Sequence, residues 1–533
     1  MYPEQNETPA QIVSQPPKPV FSPVDSAYAW ISLLLAFLFC QATPVTEYPL
    51  GGFLTILIMF VSGFVILRFK KRKLYPVCIL SALSSLVIGS ALLLTDTVFL
   101  INLSMAYCLA SYSYFLYAAL GNRIEEGFSD YIYIDFIKIL FLLPFRSITA
   151  IFPALSNKAT KKGSQLLGKI LLGIGIGMIP TVLVFSFLAY DSAFTEILGK
   201  IFSFDEEDVG RTMLSMVLAL PLGMYSFGLY ASADRKFLQA SMTAQRCKDG
   251  LQKAKILPQL TALVAVVPMV FLYVVFFISQ WQYYVSGFTG TLPQNFSYAE
   301  YARQGFFELC SVSVINLILI IAIAFFIKRN QKNSSVILKI VAAVFCVCTL
   351  ILISTAVAKL IMYIQFYGLT QKRIYAMWLM VLIGIVFLVI ALGQFLRKIK
   401  VVATCLTVAI LLFAALSVCN VNAMCANYNA ERYLSGSLET LDVAAMKELG
   451  DSAIPSLVKV AKALDPEKDA SLKKEIDKFL DNKYAYFALH KFSVFSFSIP
   501  SAMAKAALEE YAPDYTPKGI HSIERMQTPT LAE

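Results

Sequence analysis

Histidine is almost missing from this chain: His490 and His521 are the only two in 533 residues. Charge is scarce as well, at 15% of residues against 58% hydrophobic. No H-E-x-x-H, Walker lysine loop or G-x-S-x-G occurs, so the signatures of zinc hydrolases, P-loop enzymes and serine hydrolases are all lacking. The ten cysteines mostly lie inside apolar runs, which leaves neither a disulfide framework nor a metal-ligand spacing; they read as buried thiols. Gly173, Gly175 and Gly177 sit within an apolar run with no strand before them, a pattern that suits close helix packing better than a nucleotide loop. Asp205 to Asp208 (DEED) reads as a solvated acidic loop, since one short run supplies too few oxygen ligands for a hard cation. The sequence therefore offers no cofactor and no metal, and it leans away from an enzyme.

What the chain has in abundance is hydrocarbon. Mean hydropathy is +0.66, and 533 residues of this composition far exceed what one soluble core would bury. Apolar runs of membrane-crossing length fall near 27–42, 50–68, 74–94, 98–120, 168–190, 212–231, 257–279, 308–328, 336–362, 374–396 and 401–419. The expected fold is all-α: a polytopic transmembrane bundle of about 11 spans, with the lipid bilayer as its first partner. Alternate loops hold 25 lysines and arginines, including FKKRK, KRNQK and RKIK, whereas the opposite short loops hold only Lys200, Arg211, Arg303, Lys372 and Arg373. This asymmetry places the N-terminus in the cytoplasm and the C-terminus outside, in a cell (plasma or inner) membrane. The +10 charge thus follows the membrane and implies no nucleic-acid partner.

Three further regions complete the plan. Residues 1–26 are proline-rich and polar and read as a disordered cytoplasmic N-terminus. Residues 131–156 are apolar enough to suggest another crossing. However, Lys138 and Arg146 interrupt the run, and a crossing would put Lys158, Lys161 and Lys162 outside. The segment is expected to lie on the cytoplasmic face as an amphipathic helix. After 27–419, residues 420–533 turn polar, with 13 basic and 16 acidic residues, and read as a small extracytoplasmic helical domain. Within it Gly450 is a good helix stop, and Asp465 followed by Pro466 a good start.

The informative polar residues gather at the expected outer ends of the spans. Ser297 and Glu300 form an S-x-x-E capping box, so a helix should start there, with Tyr298, Tyr301 and Glu308 on one face and Arg303 beside them. Lys359 and Tyr363 lie near the end of one span; Gly368 should stop that helix and Thr370 cap the next, which carries Arg373 and Tyr375 in its first turn. Lys359 is expected to snorkel outward. Just after the last span, ANYNAERY adds Asn427 and Arg432. An aromatic belt with anchoring arginines would explain part of this recurrence; a binding surface, or a dock for the tail, would explain the paired charges. Arg303 and Arg373 stand at helix N-termini, where a positive charge is unfavourable, so both are expected to pair with Glu300, Glu308 or Glu431 or to grip an anionic ligand.

YAEYARQGFFEL, YGLTQKRIYAMW, NVNAMCANYNAERYL and TLDVAAMKELGDSAIPSL together resemble the bacterial family of unknown function numbered 4173, with its sibling 4153. The resemblance runs from about Phe21 to Leu457 and includes FCQATPVTEYPLGGF. Two departures stand out: Lys359 occupies a position where arginine is expected, and Leu489 to Ala507 lacks a tryptophan-rich pattern. The resemblance implies a polytopic plasma or inner membrane protein with no established activity. Two functions stay open. One is a non-enzymatic receptor, scaffold or accessory subunit that uses its outer face and tail to bind an envelope protein or lipid partner. The other is a transporter or membrane-embedded enzyme acting on a lipid or envelope precursor.

Overall fold

The computed structural model describes residues 21–41, 48–155, 184, 206–237, 243–279, 298–328, 335–396, 398–489 and 493–512, with the side chains of 206–211, 298–307, 335 and 489 left aside. Among these residues the chain is helical, with no strand and a single isolated bridge between Leu257 and Ile327. Among the described residues ten helices are long and apolar enough to cross a membrane. They are α1 (Pro23–Gln41), α2 (Pro49–Phe69), α3 (Pro76–Leu94), α4 (Val98–Ala119), α7 (Glu206–Asp234, apolar over Thr212–Asp234), α9 (Gln259–Ser279), α10 (Tyr298–Phe326), α11 (Ser335–Tyr367), α12 (Gln371–Phe395) and α13 (Val401–Val418). The expected span at 168–190 lies outside the described residues.

Local chemistry sets the ends. Pro49 and Pro76 open α2 and α3, where a missing N–H costs nothing. The Asp130 carboxylate accepts from the backbone N–H of Val402 (2.9 Å) and Ala403 (3.2 Å), capping α13 from a distant loop. Gly368, at φ +77°, ends α11. Thr370 occupies the N-cap position of α12 without a side-chain capping bond. The described part of α10 starts at Tyr298, and Ser297 of the expected capping box lies outside the described residues.

Contacts between span ends define two faces. At one, Lys70 pairs with Asp25 (2.7 Å) and Asp234 (3.1 Å), Arg72 pairs with Asp234 (2.8 Å), and Asn122 donates to the carbonyl of Ala233 (2.8 Å). This joins the start of α1 to the ends of α2, α4 and α7, beside the lysine-rich loops; we call it the basic face. At the opposite face Gln41, ending α1, donates to Thr212 (3.3 Å), and the turn from α3 to α4 meets the polar tail. The segment 132–155 forms a helix pair, α5 (Ile132–Arg146) and α6 (Ile148–Leu155), bent by 53°. Its entry lies near Asp130 and Asn122, and its exit is held by the Ser26 hydroxyl on the carbonyl of Ala154 (2.7 Å), so both ends adjoin the basic face. Ser232 fixes the bend by donating to the carbonyl of Leu143 (2.7 Å).

α8 (Ala244–Ala254) starts on a Thr243 cap. The tail is built from α14 (Val421–Leu434), α15 (Val443–Lys447), α16 (Ile454–Ala463), α17 (Ala470–Leu489) and α18 (Ile499–Tyr511), with Asn420, Asp442 and Ser498 as N-caps. The Asp465–Pro466 start falls short of the real one: Asp465 forms a turn by accepting from Glu467 N–H (3.0 Å), and α17 begins at Ala470. The apolar core of the tail runs without a break into Ile88, Leu100, Phe413 and Leu416 of the spans.

Candidate functional site

The tail meets the bundle over a buried polar clamp centred on Asp96, in the turn T-D-T between α3 and α4. Its carboxylate accepts from the backbone N–H of Ser452 (3.1 Å), the hydroxyl of Ser452 (2.9 Å) and the side-chain amide of Asn422 (2.8 Å). Asn422 is saturated: its amide also donates to the carbonyl of Leu449 (3.0 Å), and its oxygen accepts from Thr97 (2.9 Å) and Gln371 (2.6 Å). Asn420, which caps α14 through Ala423 N–H, donates to the Ser452 hydroxyl (2.9 Å). Three hydrogen bonds to one carboxylate are strong, at about 1.5–3 kcal/mol each before the cost of burying the charge. That cost is visible: burial pushes the Asp96 carboxyl above the usual aspartate value, against the downward pull of the Ser452 donors.

A second set of contacts surrounds the turn from α11 to α12. The Asn429 amide accepts from Leu369 N–H (2.7 Å) and donates to the carbonyl of Leu369 (2.8 Å), pairing with that residue as a strand neighbour would. Arg432 donates to the carbonyl of Gln365 (2.5 Å) and to the carbonyl of Ser437 (2.8 Å). Arg373 donates to the carbonyls of Tyr367 (3.1 Å) and Gly368 and lies 4.2 Å from the centre of the Tyr363 ring. Both arginines therefore complete the C-terminus of α11, where orphan carbonyls and the helix dipole favour positive charge.

The sequence expectations meet this geometry unevenly. The α11–α12 turn and ANYNAERY come together, and Tyr363, Arg373 and Arg432 join them. Tyr375 packs on Phe99 (5.4 Å). Asn427 is exposed and donates to Glu431 (3.1 Å), whose carboxylate also faces Lys459 (3.6 Å). Among the described residues Arg373 meets the carbonyls that end α11 and no carboxylate, because the turn folds it back onto that helix end. Glu308 is exposed and near enough for its charge to act on half-buried Lys359. The side chains of Tyr298, Glu300, Tyr301 and Arg303 lie outside the described residues. Sequence reading missed Asp96, Asn420, Asn422 and Ser452; the one signal was a lone acid between two threonines in an otherwise apolar stretch.

No catalogued protein of assigned description and no solved structure matches the chain. Residues 79–460 match the family described as Domain of unknown function (DUF4153), a stretch that runs from α3 into α16 and holds every residue of the clamp. Of the two families the sequence resembles, this is the one numbered 4153. The chain is a multi-pass helical membrane protein and belongs to the DUF4153 family.

Proposed function

We propose that this protein is a non-enzymatic receptor, scaffold or accessory subunit of a cell membrane, with its basic face in the cytoplasm and its tail outside. The observation that carries the reading is the Asp96 clamp. A charged group is taken out of water at the foot of the tail, and all three of its donors come from the tail itself. Such an arrangement fixes the tail against the span ends, as a platform for a partner requires, and leaves the carboxylate occupied instead of facing a substrate. Arg373 and Arg432 serve the same end by knitting the α11–α12 turn to α14. The basic residues described at the other face, among them Lys70, Lys71, Arg72 and Lys73, support the orientation.

Two measurements test this. In intact cells a membrane-impermeant maleimide should label Ser471→Cys in the tail, whereas Cys247 on α8 should react only after permeabilisation; the reverse pattern refutes the orientation. For the platform, an envelope protein or lipid retained by the wild type after gentle detergent extraction should be lost from a Lys459→Glu, Lys462→Glu variant that melts normally. Retention by that variant, or nothing retained by the wild type, counts against the reading.

A further inference from the structure

A cavity of about 770 Å³ lies between α3, α4, the loop 123–129, α5 and α13, with its polar end at the basic face. It falls in the range of roughly 300–1,000 Å³ typical of small-molecule sites. Along α13 it extends from Ala403 to Phe413, about 15 Å at 1.5 Å per residue. That is half of a hydrocarbon core about 30 Å thick, or one leaflet. Leu80, Leu103, Phe128 and Leu411 on its rim are exposed, so it opens sideways towards the bilayer.

Most polar side chains within its walls are turned to internal partners; the Asp135 carboxylate on α5 accepts from Tyr117 (2.6 Å) and faces Lys138 (3.6 Å), whereas the buried Tyr114 hydroxyl has no hydrogen-bond partner. The Tyr107 hydroxyl donates to Ser84 (2.7 Å), Ser111 to the carbonyl of Ser81 (3.1 Å), Thr407 to that of Ala403 (2.9 Å) and Trp378 Nε1 to that of Leu412 (3.0 Å). Apart from Tyr114, hydrocarbon can fill such walls without stranding a donor. The mouth differs. Arg123 spends both terminal nitrogens on the carbonyls of Glu126 and Gly127, which holds the loop, while its buried Nε has no hydrogen-bond partner. Glu125, half-buried, lines the same mouth.

We propose that this cavity binds one phosphatidylethanolamine molecule from the leaflet at the basic face, independently of any partner on the outer platform. The acyl chain lies along α13, the phosphate meets Arg123, and the primary ammonium donates to Glu125. One site of each sign selects a zwitterionic head over an anionic one, and a carboxylate that accepts hydrogen bonds selects a primary ammonium over choline.

The test reconstitutes the full chain in nanodiscs with equal phosphatidylethanolamine, phosphatidylglycerol and phosphatidylcholine, then reads retained lipid by native mass spectrometry. One phosphatidylethanolamine should be retained about tenfold over phosphatidylcholine, the factor a single charge-assisted hydrogen bond supplies. Glu125→Gln, on a surface loop, should erase that preference. Ala106→Phe with Ala409→Phe, which fill the cavity, should reduce retention to the bulk ratio at a normal melting temperature. Equal retention of the three lipids by the wild type, a preference for phosphatidylglycerol, or undiminished retention by a folded cavity-filled variant would each overturn the proposal. The wild-type ranking decides even if the filled variant fails to fold.

Discussion

Replacing Asp96 tests the attachment of the tail most directly. Asp96→Ala removes the acceptor of three hydrogen bonds and strands the Ser452 N–H and one hydrogen of the Asn422 amide, while the Ser452 hydroxyl keeps the Asn420 side-chain oxygen as acceptor (3.2 Å). Each stranded buried donor costs about 1–3 kcal/mol. Water entering the emptied site relieves part of this, so a total near 3 kcal/mol is expected, equivalent to more than a hundredfold rise in the undocked population. Asp96→Asn keeps the shape but turns one oxygen into a donor facing donors, and should cost about 1–3 kcal/mol, reduced by the charge no longer buried. Gly450→Ala should act at the same place. Its φ is +67°, and an added Cβ would meet the Asp96 carboxylate at 2.7 Å. The readout is limited proteolysis of the solubilised full chain in the connection between α14 and α15, under conditions where cleavage tracks the open population. The expected order of rates is Ala above Asn above wild type, with Gly450→Ala also raised. If all three variants are cut at the wild-type rate, the clamp does not hold the tail and the reasoning fails.

The remaining predictions concern pH and the two faces. Burial raises the Asp96 carboxyl above 3.8, so the docked form binds its proton more tightly; the stability from this group is full below 3.8 and is lost as pH rises through the raised value. Proteolytic opening of the wild type should therefore increase across that window, and Asp96→Asn should show no such increase. Arg373→Lys keeps the charge but loses the fork that spans two carbonyls and the stacking on Tyr363, so it should lower the melting temperature in detergent by about 1–2 kcal/mol of stability; an unchanged value would make Arg373 a simple headgroup anchor. Lys70→Met leaves Asp25 and Asp234 without their shared cation. Breaking a fully buried pair costs about 3–5 kcal/mol, and partial exposure should bring this to about 2 kcal/mol, again read as melting temperature. A Lys70→Met protein as stable as wild type would show the pair to be solvated.

The membrane spans were legible because apolar length is a one-dimensional property: a run long enough to cross must be helical, and no distant residue changes that. The end of α11 was legible for the same reason, since Gly368 acts on its own backbone. The start of α17 was not, because Asp465 had a choice between capping a helix and forming a turn, and packing selected the turn.

The candidate site divides along the same line. Composition placed Tyr, Arg and Asn at the ends of three separate stretches, and the structure brings Arg373 and Arg432 from two of them to one turn. Composition could not name their partners, because carbonyl oxygens carry no sequence signal and every residue has one. Asp96 is the extreme case. Its partner Ser452 is 356 positions away, and the bond exists only because α3, α4 and α14 end at the same height and the tail folds back between them. The sequence by itself determined how many times the chain can enter hydrocarbon and which loops carry positive charge, both consequences of what water and lipid each tolerate. Only the tertiary structure decided which polar groups meet, because hydrogen bonds depend on positions to within a fraction of an ångström and those positions are set by packing.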